Sequence, residues 1–507
     1  MMFRRVCRAL MVAGFAGIAA APAREVPLVI LHTTDLHGRI VNDVTERPDD
    51  RAEAGMLRAA TLIRAARARE PQALLMDVGD TFQGAPASFY SQGRVMADVL
   101  NHLNYDAVAL GNHEFDWGHA ALGRWAEALK HPLLCANWGA RLGAPAPRAR
   151  PWMIREIDGV RVAVVGLTTP GVPTWSPPET LGDWTIESSI PALERVMPDV
   201  RRERPDVMIL LAHQGLREGG SDPANEIFAI AREFPDFDVI LGGHTHVKIP
   251  EQRVGRALYA QAGWHGHDVG RVDLVYDTVQ KQMIRGAGTL LRVDDTVPAD
   301  PEVDALTRPA REEAARRLEE VLGWNPAERP AYDGPQSDRD VAALLRAAIR
   351  KVTGAEVVFQ GSLSRYALPE GPITGRMLWG IVPYENRIGV MHLTAGELTT
   401  VLENALARAG SHFTWGIDGV RVEWNARAPK GARVISLTDA QGRPLHPRKR
   451  MVVALNSYDL ASAGRRLPAL RELTQKPETR YRLTELDTRT VVERWIRATW
   501  KARPPED

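Results

Sequence analysis

Five short apolar stretches of the chain end in side chains that can bind a metal ion or move a proton. These side chains are Asp35, His37, Asp80, Asn112, His113, Asp116, His213, His244 and His246. Any one of the histidines alone is more often structural, and Asn112–Asp116 alone could equally be a turn that caps a helix. A cluster of such groups needs a cation to satisfy it, and mixtures of histidine and carboxylate favour Zn, Mn, Fe or Ni. The pattern therefore predicts a metal centre suited to phosphoryl hydrolysis.

The apolar runs before these residues have the length and composition of β-strands. They lie at 26–31, 73–76, 107–110, 207–211 and 239–241, and a sixth run at 161–167 precedes a Pro- and Trp-containing loop. Helix-like stretches separate them at 55–69 and 95–103. Strands that alternate with helices predict an α/β layered domain, and the strand tips of such a domain open into a crevice.

The chain changes character between residues 298 and 335. A charged helical stretch that starts at Pro301 and includes 311–322 stops at Gly323. Three prolines follow it, which predicts a connecting helix and a linker. Beyond it, Ser337 with Asp340 three residues later predicts the cap of a helix over 341–352. A further helix over 395–409 and four strand-like runs predict a mixed α/β domain. We place the two domains at 24–297 and 336–507.

Residues 1–23 are typical of an export signal. Basic residues at 4–8 precede an apolar run at 9–21, and small residues near 21–23 offer a cleavage site. Only Cys135 remains beyond this segment, so we expect no internal disulfide, which is compatible with a bacterial periplasm. No second apolar stretch is long enough to cross a membrane. The net charge of +1 argues against a large nucleic-acid footprint.

The ordered blocks of polar residues resemble those of the calcineurin-like metallophosphoesterases. The blocks are Asp35-x-His37, Gly79-Asp80, Gly111-Asn112-His113-Glu114, His213 and Gly242-Gly243-His244-x-His246. Together with the second domain they resemble the exported bacterial 5′-nucleotidase family, which includes UDP-sugar hydrolases and 2′,3′-cyclic-nucleotide phosphodiesterases. The resemblance covers nearly all of the chain after residue 23. It implies a four-layer sandwich domain, a connecting helix and a smaller mixed α/β domain that binds the substrate.

The resemblance also implies two divalent metal ions, Zn, Mn or similar, and a role for each ligand. One ion would be held by Asp35, His37, Asp80 and His246. The other would be held by Asp80, Asn112, His213 and His244, so that Asp80 bridges the two. His113 would contact the phosphoryl group, with Asp116 orienting its ring. Glu114 is expected to support loops rather than to bind metal.

Four residues of the second domain are candidates for substrate contacts: Arg365, Tyr384, Tyr458 and Arg465. Arg365 keeps the arginine of a family loop whose asparagine and one glycine are lost, and Tyr384 replaces a phenylalanine that stacks on the base. Arg465 stands where the family has an acidic residue, and Tyr458 offers a second ring only with a one-residue shift. Arg465 and Arg466 would favour a diphosphate, a cyclic phosphate or a 3′-phosphate, or would form salt bridges that fill the pocket.

The sequence therefore predicts a periplasmic, two-metal phosphoesterase of the 5′-nucleotidase type that acts on small nucleotides. We expect no nucleic-acid polymer as partner, and a monomer or weak dimer. Cyclic-nucleotide or nucleotide-sugar phosphodiester hydrolysis is an alternative, and a sulfur-oxidation thiosulfohydrolase is another. A receptor that binds nucleotide or metal without turnover belongs to a different class. The complete set of ligand types and the His113–Asp116 pair favour an enzyme.

Overall fold

The computed structural model describes residues 24–42, 54–140, 149–217, 222–407 and 414–500, so the predicted export segment lies outside the described residues. The first domain is built on two β-sheets. One sheet has, in spatial order, the strands Gln282–Arg292, Asp268–Asp277, Glu25–Thr33, Leu74–Asp77, Ala107–Ala109, Leu133–Leu134 and Ala149–Arg150. The other has Lys248–Val254, Ala257–Ala262, Val239–Gly242, Val207–Ala212, Val160–Leu167 and Trp152–Ile157.

The two sheets face each other, and helices cover both outer faces. Leu28 and Ile30 point into the core between the sheets, whereas Val29 and Leu31 on the same strand pack towards the helices. The first sheet is covered by Met56–Arg69, Arg94–His102 and Gly118–Ala128, and the second by Ser189–Arg202 and Ile227–Glu233. Shorter elements are the helices Pro86–Tyr90, Val172–Trp175 and Pro178–Leu181, the 3-10 turn His113–Phe115, and the paired strands Trp138–Ala140 and Trp184–Ile186. The predicted four-layer α/β sandwich is confirmed.

The strands that precede the candidate site run parallel within each sheet. Glu25–Thr33, Leu74–Asp77 and Ala107–Ala109 are parallel neighbours in the first sheet. Val207–Ala212 and Val239–Gly242 are parallel neighbours in the second. The carboxyl ends of these strands therefore open at one edge of their sheet, where the loops after them are brought close together.

A helix at Pro301–Glu319 follows the first domain, and its N-terminus is capped by the Asp300 carboxylate, which accepts from two backbone N–H groups. The helix ends three residues earlier than predicted, because Val321–Asn325 forms a strand instead. That strand pairs with Gly371–Thr374, and Leu322 is buried in the core of the second domain. Sheet pairing therefore overrides the helical pattern there.

The second domain is a five-stranded sheet with helices on both faces. In spatial order its strands are Ile417–Asp418, Val357–Phe359, Arg450–Asn456, Arg387–Thr394 and Arg482–Asp487. Its helices are Val341–Thr353, Gly375–Ile381, Ala395–Leu406, Ser457–Leu460, Pro468–Thr474 and Thr488–Thr499, with a 3-10 turn at Pro477–Thr479 and a ribbon of Arg421–Trp424 and Val434–Thr438. Asp340, not Ser337, caps the first helix, since its carboxylate accepts from the Ala343 amide at 2.7 Å. Within the described ranges, no helix combines the length and apolarity needed to cross a bilayer.

Candidate active site

The structure brings all seven predicted metal ligands together at the carboxyl edge of the first domain. Asp35, Asp80 and His213 are fully buried, and Asn112 and His244 lie where the site opens into a cavity. In one group of ligands, Asp35 Oδ1 lies 3.3 Å from His246 Nε2. His37 Nε2 lies 3.1 Å from His246 Nε2 in the same group. Two imidazole nitrogens that approach head-on in this way are an arrangement typical of two ligands on one cation.

A second group lies next to the first, and Asp80 is shared between them. Asp80 Oδ2 lies 3.0 Å from His213 Nε2 and 3.8 Å from His37 Nε2. Asn112 Oδ1 lies 2.9 Å from His244 Nδ1. The ligand atoms of Asp80, His213 and His244 all fall within 4.8 Å of one another. The Asp80 carboxylate therefore occupies the position from which it can reach a cation in either group.

Backbone carbonyls orient two of the histidines. The Nδ1 of His213 donates to the Val78 carbonyl at 2.8 Å, and the Nδ1 of His37 donates to the Gln83 carbonyl at 3.3 Å. Because a carbonyl can only accept, Nε2 is the atom that each ring turns into the site. The buried Nε2 of His213 forms no well-aligned hydrogen bond within the described residues, although Asp80 Oδ2 lies 3.0 Å from it. Ligand atoms about 2.1 Å from one transition-metal ion lie about 3 Å apart, so this donor set fits divalent cations.

The electrostatics of the site favour a cation. Burial favours neutral carboxyls, but His213 and His246 hold the pKa of Asp35 at about 2, and His213 and His113 hold the pKa of Asp80 well below its usual range. Burial also opposes a charge on His213, yet Asp80 and Asp35 raise its pKa to about 9. Burial and His213 lower the pKa of His244 to about 4. A bound cation competes with the His213 proton, so binding should strengthen as pH rises.

The backbone of the site is strained at the predicted ligands. Asp35, His37, Asp80, His244 and His246 all adopt left-handed conformations, with φ between 47° and 71°. Such conformations cost about 1–2 kcal/mol for a residue with a Cβ and cluster at functional sites. They turn the chain sharply after each strand, so that several side chains of one loop face the same point.

Glu114 holds two of these loops together. Its buried carboxylate accepts from the backbone amides of Gly111 at 2.6 Å, Asp80 at 2.8 Å and Thr81 at 2.7 Å. Gly111 leaves no room for a side chain, since a Cβ there would lie 2.1 Å from Asp80 Oδ1. This arrangement agrees with the expected loop-supporting role of Glu114.

His113 and Asp116 form a pair beside the ligands. His113 Nδ1 lies 2.6 Å from Asp116 Oδ2, and both side chains are about one quarter exposed. Burial favours a neutral ring, but the Asp116 and Asp80 carboxylates raise the pKa of His113 to about 10. These carboxylates therefore favour the protonated ring, which can donate a hydrogen bond to an anionic oxygen.

A cavity of about 560 Å³ separates this cluster from the second domain. Asn112, His113, Asp116 and His244 line one side of it, and residues from the second domain line the other. Of the predicted substrate contacts, Tyr384 and Tyr458 line the cavity. Arg365 and Arg465 are exposed, and neither belongs to its described lining.

Arg466 lines the cavity in place of its neighbour Arg465. It donates to the Tyr458 hydroxyl and to the Ala463 carbonyl, and its guanidinium lies 5.7 Å from the centre of the Tyr458 ring. The lining also includes Trp175, Gln360 and Asp459, which were not singled out as site residues from the sequence. The Trp175 ring packs on the His244 ring, with 5.0 Å between the ring centres. The only indication of Trp175 in the sequence was its place in a loop that contains proline and tryptophan.

Comparisons with known proteins agree with the fold and the site. Residues 28–248 match the family model of the calcineurin-like phosphoesterases, and residues 320–472 match that of the 5′-nucleotidase C-terminal domain. Endonuclease YhcR of Bacillus subtilis is 23% identical over 92% of this chain, which spans only 40% of that protein. The 5′-nucleotidase of Diplobatis ommata is 25% identical over 86% of this chain and 82% of its own length.

A solved structure shares the fold over both domains. The 5′-nucleotidase precursor from Thermus thermophilus superposes with a TM-score of 0.69 at 20% identity, covering 95% of this chain and 98% of that one. The two domain matches stand in the same order as the sandwich and the smaller domain described above. The chain belongs to the calcineurin-like metallophosphoesterases with a 5′-nucleotidase C-terminal domain, and it is a metal-dependent phosphoester hydrolase.

Proposed function

We propose that the chain hydrolyses phosphate monoesters of nucleotides in the manner of a 5′-nucleotidase, with the reaction at the cavity between its domains. The observation that carries the proposal is that one cavity joins the ligand cluster and His113 to Tyr384 and Tyr458. A phosphoryl group at the first side and a nucleoside at the second would fill this space. Tyr384 is 43% exposed and lines the cavity, so a base bound in the cavity could contact its ring.

Each group of ligands would hold one divalent ion, Zn, Mn or a similar metal, with Asp80 common to both. When bound, these ions supply Lewis-acid polarisation of the phosphoryl oxygens. His113 then donates from Nε2 to a phosphoryl or leaving-group oxygen, which stabilises the charge that develops there. Asp116 accepts from His113 Nδ1 and fixes the orientation of the ring. The second domain holds the nucleoside and limits the access of bulk water.

Phosphodiester hydrolysis is the second candidate activity. Arg466 places a positive charge in the cavity, which would suit a diphosphate, a cyclic phosphate or a nucleotide sugar. The name of the Bacillus subtilis relative, an endonuclease, also points to a phosphodiester. The same residues serve either reaction, because the attacked phosphorus is bound in the same place and only the leaving group differs.

The test is hydrolysis, with Mn²⁺ added, of AMP, UMP, ADP, UDP-glucose, 2′,3′-cyclic AMP and bis-p-nitrophenyl phosphate. Phosphate release reports AMP, UMP and ADP, and p-nitrophenol absorbance reports bis-p-nitrophenyl phosphate. Coupling enzymes would report the diester products. His113→Ala should lower turnover of the preferred compound at least about 100-fold. Asp236→Asn removes a surface carboxylate that pairs with Arg201 far from the site, so it should leave turnover unchanged. No turnover of any compound by a chain that demonstrably binds metal would refute the proposal.

We further propose that the chain is exported, because residues 1–23 have the composition of an export signal. Mass spectrometry of the protein recovered from its native host measures this directly. Cleavage near residues 21–23 is the expected result, and a mature chain that retains residues 1–20 would contradict it.

A further inference from the structure

The second domain reaches into the ligand loops through one buried carboxylate. Gln83 Nε2 donates to Glu385 Oε2 at 2.6 Å, and Trp117 Nε1 donates to the same oxygen at 3.3 Å. Gln83 and Trp117 belong to the first domain, and Glu385 belongs to the second. Gln83 is 2% exposed and Glu385 is 8% exposed, so water does not compete freely for these hydrogen bonds.

The other carboxylate oxygen is anchored within the second domain. Arg489 Nη1 donates to Glu385 Oε1 at 2.6 Å, and Arg489 Nε donates to the Val382 carbonyl at 3.0 Å. The Arg489 guanidinium also lies 3.4 Å from the centre of the Trp379 ring. Arg489 therefore fixes where Glu385 points, and the oxygen offered to the first domain moves with the second domain as a unit.

Gln83 is also joined to a predicted metal ligand. Its carbonyl accepts from His37 Nδ1 at 3.3 Å, which directs His37 Nε2 towards His246 and Asp80. The loop packs tightly on His37, because a Cβ at Gly84 would lie 2.7 Å from the His37 carbonyl oxygen. The Ala85 amide donates to that same oxygen at 2.8 Å. A shift of the Gln83 loop is therefore expected to turn the His37 ring.

We propose that Glu385 is a positioning residue that couples the placement of the second domain to the affinity of one metal site. The coupling runs from Glu385 through Gln83 to His37, and so reaches the ligand group of Asp35, His37, Asp80 and His246. The proposal rests on the proposed function in one respect, namely that these residues hold a metal ion. Outer partners of a ligating histidine typically affect metal affinity 10–100-fold, and Glu385 acts one step further out.

Such a coupling is reciprocal. If the second domain strengthens metal binding at His37, then metal binding must equally stabilise the contact between Glu385 and the first domain. Backbone amides around Glu385 should therefore exchange with solvent more slowly when metal is bound. This property separates coupling from a merely structural contact, which would protect the segment equally with and without metal.

The test uses the full chain and Mn²⁺ alone as the probe. Gln83→Met keeps the length of the side chain and the backbone carbonyl but removes the donor to Glu385, while the Glu385–Arg489 pair stays intact. We expect one Mn²⁺ dissociation constant to rise about five- to tenfold by calorimetry, with the other within twofold of native. Hydrogen exchange of residues 381–386 should slow on adding Mn²⁺ in the native chain and not in the variant.

Tyr481→Phe is the matched control, because it removes another contact between the domains, from the Tyr481 hydroxyl to Glu179 at 3.4 Å. It should change neither dissociation constant. Glu385→Gln is a second variant from the other side of the contact and should weaken the same metal site. Native-like affinities in both Gln83→Met and Glu385→Gln would overturn the proposal. A native chain that binds no Mn²⁺ would instead refute the proposed function on which it rests.

Discussion

Replacing Asp116 by asparagine tests the proposed role of the His113–Asp116 pair. The carboxylate lies 2.6 Å from His113 Nδ1 and is the leading cause of the raised pKa of that ring. A charge-assisted hydrogen bond of this kind is worth about 1.5–3 kcal/mol. If the whole of it acts on the transition state, kcat should fall about 10–150-fold, since about 1.4 kcal/mol corresponds to a factor of ten. KM should change little, because neither oxygen of Asp116 needs to touch the substrate.

The pH dependence gives a second signature. The pKa of His113 is raised to about 10, so the native ring keeps its charge from acid pH up to that value. Without the carboxylate the pKa falls towards the ordinary value of about 6.5. The variant therefore loses the charge between about pH 6.5 and 10, where the native enzyme keeps it. The ratio of native to variant kcat should be smallest near pH 6 and should grow towards pH 9.

The assay is steady-state phosphate release by Asp116→Asn, His113→Ala, the double variant and the native chain. Because Asp116 is proposed to act only through His113, asparagine at 116 should cost less than threefold when His113 is already alanine. Asp236→Asn again serves as the control for loss of a surface carboxylate. Fully additive losses in the double variant would show that Asp116 acts independently of His113 and would refute the reasoning.

Two further changes have expected outcomes. Burial lowers the pKa of His32 to about 4, and both of its ring nitrogens lack hydrogen-bond partners among the described residues. Below pH 6.5 the unfolded chain therefore binds a proton at His32 that the folded chain does not bind, and the fold loses stability. Urea unfolding should show that the free energy of unfolding falls about 2.5 kcal/mol less in His32→Leu than in the native chain between pH 7.5 and 4.5. An equal fall in both proteins would contradict this. Arg466→Gln removes the guanidinium that lines the cavity, so KM should rise about tenfold for ADP but less than threefold for AMP. Equal rises for both nucleotides would show that Arg466 does not select an additional phosphate.

The sequence predicted the ligand cluster because each polar block follows a buried strand directly. Asp35 and Asp80 follow parallel neighbours, so the prediction needed only the rule that such strands end at the same edge. The antiparallel strands between Lys248 and Arg292 were not predicted. Strands such as Lys248–Val254 and Gln282–Arg292 are largely solvent-facing, so polar residues interrupt the apolar pattern. Their pairing is set by register along the sheet, which the local pattern does not reveal.

The sequence did not reveal which of two adjacent arginines lines the cavity. Arg465 and Arg466 are adjacent and chemically identical, so the sequence offered no means of choosing between them. In the structure Arg465 adopts φ of 68°, within a turn in which Ser462 and Ala463 also have positive φ. The turn leaves Arg465 exposed and folds Arg466 back onto Tyr458. A side-chain direction that depends on consecutive left-handed residues follows from tertiary packing rather than from residue type.

Five of the predicted metal ligands also adopt left-handed conformations, and other interactions must offset the strain. Five strained residues would together cost about 5–10 kcal/mol, which is comparable to the whole stability of a domain. Glu114 offsets part of this cost through three backbone hydrogen bonds, but burial and the nearby Asp80 carboxylate raise its own pKa to about 7. The loops are thus held by a carboxylate that is itself costly to keep charged beside Asp80. A divalent cation bound to Asp80 would reduce the repulsion between the Asp80 and Glu114 carboxylates, so metal binding should stabilise the strained loops as well as supply the chemistry.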